Sequence, residues 1–315
     1  MKTKVIVPTM AAALTDHYLE QHGYEVITAD DPSEEEILKL APDAAGVMMI
    51  SQPLSNAIYD QMPNLKVLAR RGVGYDNIDV DFAAQKGVWV TNTPGANARA
   101  VAEAALMDIL VLARQIPQTR VKTRQDGWVA AHELLGHEVG DATVGIVGFG
   151  HVGQLLAKML TGLGARVLIY DRHPRTTDEG TFVDWDDLFR QSNYVSLHLA
   201  AVPDTIHSVG AHEFGLMPDG AGLVNLARGS IVDEPALIAA LRDNTLGGAA
   251  LDVFEQEPLP ADNPLWTLPN VMVTPHIGAN TLEANRTMSL TAARMIDEVL
   301  TGKQPEYAVN APVLG

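Results

Sequence analysis

The stretch that decides the fold runs Thr143-Val144-Gly145-Ile146-Val147-Gly148-Phe149-Gly150-His151-Val152-Gly153 and continues, through a helical segment, to Arg166-Val167-Leu168-Ile169-Tyr170-Asp171. Positions 144–147 are apolar and largely β-branched, as a strand buried on both faces must be. A helix is predicted over 151–161, and a second strand over 166–170 delivers an acid. A glycine triplet alone is a weak signal. Set between a strand and a helix, with an acid about twenty residues on, it is the dinucleotide-binding fingerprint. Gly148 allows the tight turn, Gly150 lets the backbone approach the phosphates, and Gly153 lets the helix pack on the sheet. The free N–H groups of the first helical turn, where His151 and Val152 stand, and the positive end of the helix dipole face the pyrophosphate. Asp171 is placed to accept from the ribose hydroxyls. Its charge opposes a 2′-phosphate and favours NAD over NADP, with Arg172 offsetting part of that repulsion.

Outward from this unit, strand and helix signals alternate. Strands are expected at 5–7, 24–28, 45–50, 66–68 and 88–91. Between them come helices at 11–21, at 34–40 behind the capping box Ser33-Glu34-Glu35-Glu36, at 55–61 and at 82–86. Such alternation implies a parallel sheet covered on both faces. Residues 96–118 read as one long helix, and 119–141 shows no clear period. Later strands are expected at 194–198, 222–225, 248–253 and 271–274, and 282–300 reads as a last long helix with apolar residues at helical spacing. Two long helices flank the dinucleotide unit, which suggests an insertion. The expected class is α/β with two Rossmann- or flavodoxin-like parallel-sheet domains. Residues 98–282 would form the nucleotide-binding domain, inserted into a substrate-binding domain of 1–97 and 283–315.

The composition, 47% hydrophobic and 19% charged, is that of a globular protein. No apolar run approaches the length of a membrane span, so no membrane partner is expected. Val5–Val7, cut off by Pro8, serves better as a first strand than as a signal sequence, and the expected place of action is the cytoplasm. The absence of cysteine excludes disulfides, thiol catalysis and zinc–thiolate sites, and no metal is expected. A net charge of −17 argues against nucleic acid, which needs a basic surface. It also means that an anionic substrate must be held by local arginines against a repelling field.

Three further constellations carry chemistry. In Asn225-Leu226-Ala227-Arg228-Gly229-Ser230, an arginine sits at the carboxyl end of an apolar strand, where open α/β sheets bind ligands. Its planar fork of donors suits a carboxylate. In Asp252-Val253-Phe254-Glu255-Gln256-Glu257-Pro258, three acids follow another strand; a solvated loop explains them as well as a site does. In Val273-Thr274-Pro275-His276-Ile277-Gly278, a histidine follows a strand in a turn shaped by Pro275 and Gly278, positioned for proton exchange near neutral pH. Of the ten histidines, His276 stands out by this position and by Glu257 as a partner that would fix its tautomer.

These segments, in this order and spacing, resemble the NAD-dependent D-isomer-specific 2-hydroxyacid dehydrogenases, the family of phosphoglycerate, glycerate and D-lactate dehydrogenases. The resemblance covers nearly the whole chain and takes in Arg71-Gly72-Val73-Gly74-Tyr75-Asp76-Asn77-Ile78-Asp79, Thr93-Pro94-Gly95 and Val101-Ala102-Glu103. It implies that Arg228 binds the substrate carboxylate and polarises its carbonyl. His276 is then the acid/base, and Glu257 orients it and favours its protonated form. Backbone amides of Val73 and Gly74 also hold the carboxylate. Asp252, with the backbone at Leu226 and Ala227, holds the nicotinamide amide, and Thr93, His151, Val152, Asp171, Leu199 and Gly278 line the rest of the cofactor. The resemblance further implies closure of the two domains around the substrate and a homodimer in which the neighbourhood of Trp128 crosses to the partner. Ala200-Ala201 departs from the usual proline-containing adenine segment, Asp141 stands where a lysine is usual before the first fingerprint strand, and Pro218 stands where a lysine often follows the methionine. Few residues follow the last helix, so the regulatory extension of some phosphoglycerate dehydrogenases is expected to be lacking.

The expected reaction is hydride transfer between NAD and C2 of a small anionic 2-hydroxy or 2-keto acid. Arg70 and Arg71, just before the carboxylate-binding turn, suit a phosphate and so 3-phosphoglycerate or phosphohydroxypyruvate. Ser51-Gln52-Pro53 suits glyoxylate or hydroxypyruvate. An alternative of another class is an NAD-sensing, corepressor-like binding protein without turnover; retention of Arg228, Glu257 and His276 argues for chemistry. Formate oxidation fits poorly, since a Gln–His pair is expected there.

Overall fold

The computed structural model describes residues 2–30 and 32–312. Two compact units emerge: the residues up to Asn97 together with those from Asn280 onward, and Ala98–Ala279.

The first unit is built on five parallel strands, β1 (Lys4–Val7), β2 (Glu25–Thr28), β3 (Gly46–Met49), β4 (Val67–Arg70) and β5 (Trp89–Thr91), in the order β2-β1-β3-β4-β5. Alternate residues of β1 explain the two cores. Ile6 faces a cluster with Ile37, Val47, Ile58 and Leu68, while Val5 and Val7 face Val67, Ala69, Ala292 and Ile296. The helix Leu282–Leu300 closes this second face. It sits close because β3 begins at Gly46, where a Cβ would stand 3.2 Å from both Ile296 Cγ2 and Val67 Cγ1. The segment after it returns along β5: Val309 N donates to Val90 O, and Asn310 accepts from Val90 N while donating to the carbonyls of Val80 and Val88.

The second unit has seven parallel strands, β6 (Thr143–Val147), β7 (Arg166–Tyr170), β8 (Thr181–Phe182), β9 (Tyr194–Leu197), β10 (Gly222–Asn225), β11 (Gly248–Leu251) and β12 (Val271–Val273). Their order is β12-β11-β10-β9-β6-β7-β8. The order reverses between β7 and β9, on either side of β6, and ligands of such sheets bind outside the carboxyl ends at that reversal. Both faces are covered by apolar helix stripes. Val144 and Ile146 pack with Ile109, Leu112, Leu156 and Leu160, and Val147, Val195 and Leu197 pack with Phe189 and Phe214. Each buried Leu or Phe contributes about 1.5–3 kcal/mol relative to exposure. The expected α/β class with two all-parallel sheets is what the chain forms.

Several expected elements differ. Residues 11–21 are not one helix but two, Thr9–Leu14 and Tyr18–Gln21, parted by Asp16 and His17 in left-handed backbone. Residues 96–118 likewise form Ala98–Ala113 and then Ile116–Asp126. Pro117 lacks the N–H an interior helical turn needs but fits a first turn, so the chain breaks at Gln115 (φ +48°) and restarts. The region expected to be irregular is therefore helical to Asp126. Its polar run Gln118-Thr119-Arg120-Val121-Lys122-Thr123-Arg124 has too few apolar residues to display a period. Strand β8, only two residues long, escaped sequence reading for the same lack of pattern.

Candidate active site

In the second unit, nearly every residue singled out by sequence stands at the carboxyl edge of the sheet. Gly148 follows β6, Asp171 follows β7 and Leu199 closely follows β9. Leu226, Ala227 and Arg228 follow β10, Asp252 follows β11, and His276 and Gly278 follow β12.

The three fingerprint glycines are required for three different reasons. Gly148 has φ +99°, and a Cβ there would lie 2.6 Å from His198 O. At Gly153 a Cβ would lie 2.2 Å from Gly148 O, so helix and turn touch through backbone. Gly150 has φ −78°, which any residue adopts, and a Cβ there would meet no atom within 4 Å. The protein itself has no need of glycine at 150. The open space lies at the N-cap of the twelve-residue helix His151–Gly162, whose first N–H groups have no side-chain cap. That is the cradle a pyrophosphate requires.

Asp171 is doubly engaged: its Oδ2 accepts from Phe149 N (2.8 Å) and its Oδ1 from His173 N (2.9 Å). Burial opposes its charge, but these amides and the nearby Arg175 outweigh burial and hold the carboxyl below its ordinary range. Arg175, which sequence reading passed over, donates to Phe149 O and lies over the Phe149 ring, 5.1 Å from its centre. The glycine turn is thus gripped at Phe149 from both sides. Beside it a pocket of about 320 Å³ is lined by Tyr170, Arg172, Trp185, Leu199, Ala200 and Thr205, among others. Leu199 and Ala200 are among these lining residues, and neither Arg228 nor His276 is.

Asp252 organises the opposite end. Only 2% exposed, it accepts from Thr274 Oγ1 (2.6 Å) and Ile277 N (2.8 Å) on Oδ1, and from Gly278 N (2.7 Å) on Oδ2. His276, between these donors, sits at φ +53°, a strained conformation for a non-glycine residue that persists only where its surroundings over-determine it. Its backbone N donates to Asp252 O. Its ring Nδ1 donates to Glu257 Oε2 (2.8 Å), which leaves Nε2 of this half-exposed ring as the atom that can exchange a proton. Glu257 Oε1 accepts from Phe254 N. Burial pushes the Glu257 carboxyl upward; the bonds from His276 and Phe254, and the charges of His276 and Arg228, more than reverse this and leave it low. In this acidic loop Glu257 pairs with His276 and Glu255 with His207.

Arg228 is fixed by its own turn. Asn225 Nδ2 donates to Arg228 O, Asn225 Oδ1 accepts from Ala227 N, and Arg228 Nη1 donates to Ala227 O. Gly229 must be glycine, since a Cβ there would overlap the Phe254 backbone at 1.8 Å. That contact ties the arginine turn to the loop bearing Glu257.

In the first unit, Ser51 follows β3, Arg70 ends β4, Val73 and Gly74 lie in the turn after it, and Thr93 follows β5, again at one carboxyl edge. Gly72 O accepts from Thr93 N, and Val73 O from Asn92 Nδ2, so the turn is held through its carbonyls. Thr93 is wholly buried, its hydroxyl without a partner among the described residues. Arg70 folds back over Gly72 and donates to Arg71 O. Arg71, expected to share a phosphate, instead turns inward. It is 5% exposed, with Nε on Ser289 Oγ and Nη2 on Asn285.

Proteins of known family resemble this chain. The profile described as "D-isomer specific 2-hydroxyacid dehydrogenase, NAD binding domain" matches residues 106–278. A D-3-phosphoglycerate dehydrogenase of Archaeoglobus fulgidus is 37% identical over 99% of this chain, which spans 60% of that relative's length. A glyoxylate reductase of Thermococcus gammatolerans is 38% identical over the whole chain and 98% of its own. The crystal structure of NAD+-bound 3-phosphoglycerate dehydrogenase from Entamoeba histolytica superposes with a TM-score of 0.84 at 28% identity, covering 99% of this chain and all of that one.

Proposed function

The chain belongs to the D-isomer specific 2-hydroxyacid dehydrogenases, and on that premise we propose that it interconverts a small D-2-hydroxy acid and its 2-keto acid through Arg228, Glu257 and His276. The observation that carries the reading is the 2.8 Å His276–Glu257 pair with the charge of Arg228 acting on the same carboxylate.

NAD, when bound, supplies or receives the hydride. The space over Gly150, the uncapped helix start and Asp171 would hold its pyrophosphate and ribose. Arg228 holds the substrate carboxylate through its fork and stabilises charge developing on the carbonyl oxygen. In the reducing direction His276 gives the proton on Nε2 to that oxygen; Glu257 keeps Nδ1 protonated and the ring oriented. Asp252, with Leu226 and Ala227, is assigned to the nicotinamide amide. Acid-binding roles fall to Ser51, Arg70, Val73 and Gly74 in the first unit.

Relatives named as phosphoglycerate dehydrogenase and as glyoxylate reductase are similar to this chain to the same degree. With Arg71 turned inward, one arginine remains to meet a phosphate, which favours the smaller acids. Steady-state kinetics with phosphohydroxypyruvate, hydroxypyruvate, glyoxylate and pyruvate, each with NADH and NADPH, test the reading. NADH oxidation with glyoxylate or hydroxypyruvate is expected, and Arg70→Ala should leave their ranking over the phosphorylated acid in place. Tight NADH binding without turnover on any of the four would replace an enzyme by a sensor.

We also infer a homodimer. Trp128, Val129 and Leu135, large apolar residues close in sequence, are 75%, 83% and 77% exposed, and a partner surface would cover them. Light scattering should give twice the chain mass, and Val129→Glu should halve it; a wild-type monomer would refute the inference.

A further inference from the structure

The helix Ala98–Ala113 carries an acid on its buried face. Asp108 is 2% exposed and shares that face with Ala105, Ile109 and Leu112. Its Oδ1 is sealed from solvent and has no hydrogen-bond partner among the described residues. Ionisation in such a setting is strongly disfavoured. The helix packs against β10 and β11, and Asp252 follows β11 directly.

Asp252 is in the opposite circumstance, because three donated hydrogen bonds compensate its charge. An acid buried without such donors, as Asp108 is, keeps its proton. Burial, and then the Asp252 charge, push the Asp108 carboxyl up to about 7. The other ionisable side chains on the elements packed against this helix are His151, Lys158, Arg120, Lys122, Arg124, Asp126 and Asp141, with Arg99 and Glu103 on the helix itself. All lie at exposed or half-exposed positions, and β10 and β11 carry none.

We propose that Asp108 is a positioning residue for the 274–278 turn, acting through Asp252: protonated, it leaves Asp252 free to hold Thr274, Ile277 and Gly278, and ionised, it sets a second negative charge against Asp252 and loosens the turn that carries His276. The strained backbone at His276 makes the turn sensitive to such a change, since the bonds to the Asp252 carboxylate are among those that keep it there. The effect on the turn stands by itself; the effect on turnover rests on the function proposed above.

The experiment follows the Ile277 and Gly278 amide resonances of the cofactor-free protein from mildly acidic to alkaline pH, in wild type and in Asp108→Asn, with Asp108→Leu as a second neutral variant. In wild type both amides should shift together with a midpoint near 7, and in either variant they should keep their low-pH positions. Turnover of NADH with a 2-keto acid should fall more steeply with rising pH in wild type than in either variant. Amides that do not titrate in wild type, or that titrate alike in a variant, overturn the proposal. Titrating amides in a protein that consumes no NADH at any pH uphold the coupling and remove the function.

Discussion

The two sheets share one architectural plan and differ in the turn that leaves the first strand of each. β1 runs into Pro8, which has no N–H to offer, and then into a six-residue helix. β6 runs into Gly148-Phe149-Gly150 and a twelve-residue helix whose leading amides are uncapped. Both strands sit at the point where strand order reverses. A parallel sheet therefore supplies a place for a ligand, and the turn decides whether a phosphate can use it.

The comparison breaks if glycine at 150 proves as structural as glycine at 153. Gly153→Ala drives a Cβ to 2.2 Å from Gly148 O and should cost several kcal/mol of stability, read by thermal unfolding. Gly150→Ala, which meets no protein atom, should unfold like wild type yet bind NAD+ more weakly by on the order of tenfold or more in calorimetry. Equal losses of stability in the two variants would show that the space over Gly150 is not reserved for a ligand.

A second contrast sharpens the first. Each unit buries ionisable groups whose charge burial opposes, among them Arg71 in the first and Asp108 in the second. Arg71 is satisfied by Ser289 and Asn285, so Arg71→Met should cost about 1–3 kcal/mol through the partners it strands. Asp108 Oδ1 has no such partner among the described residues. Its folded carboxyl keeps a proton up to about pH 7 against 3.8 ordinarily, so native stability falls as pH rises between those values and the loss is complete above 7. Asp108→Leu should therefore gain on the order of 3–4 kcal/mol at pH 8 and none from this source below pH 4. Denaturant melts at both pH values check the sign; a gain independent of pH would assign it to packing alone.

The second unit was the more legible in sequence, for a physical reason. Its fingerprint couples a strand, three glycines and an acid in one local run, and Arg228 and His276 each follow an apolar strand that announces itself. Glu257 was ambiguous, because acids in a loop look alike until one of them meets an imidazole. Arg71 was misread since two adjacent arginines carry no mark of which turns inward. Arg175 and Thr274 act through the backbone and through another carboxylate, which no spacing reveals. Asp108 did leave a trace, an acid on the apolar stripe of the helix at Ala105, Ile109 and Leu112. The helix breaks at Asp16–His17 and Gln115 were hidden because each half keeps helical composition, although Pro117 was a signal for the second.

The most direct test of the account is NADH consumption with glyoxylate by wild type and by His276→Ala and Arg228→Ala, alongside calorimetric NADH binding by each. Both variants should bind NADH as wild type does, and both should lose turnover by on the order of a hundredfold or more. Turnover near the wild-type rate in either variant would contradict the assignment of proton and carboxylate to these two side chains.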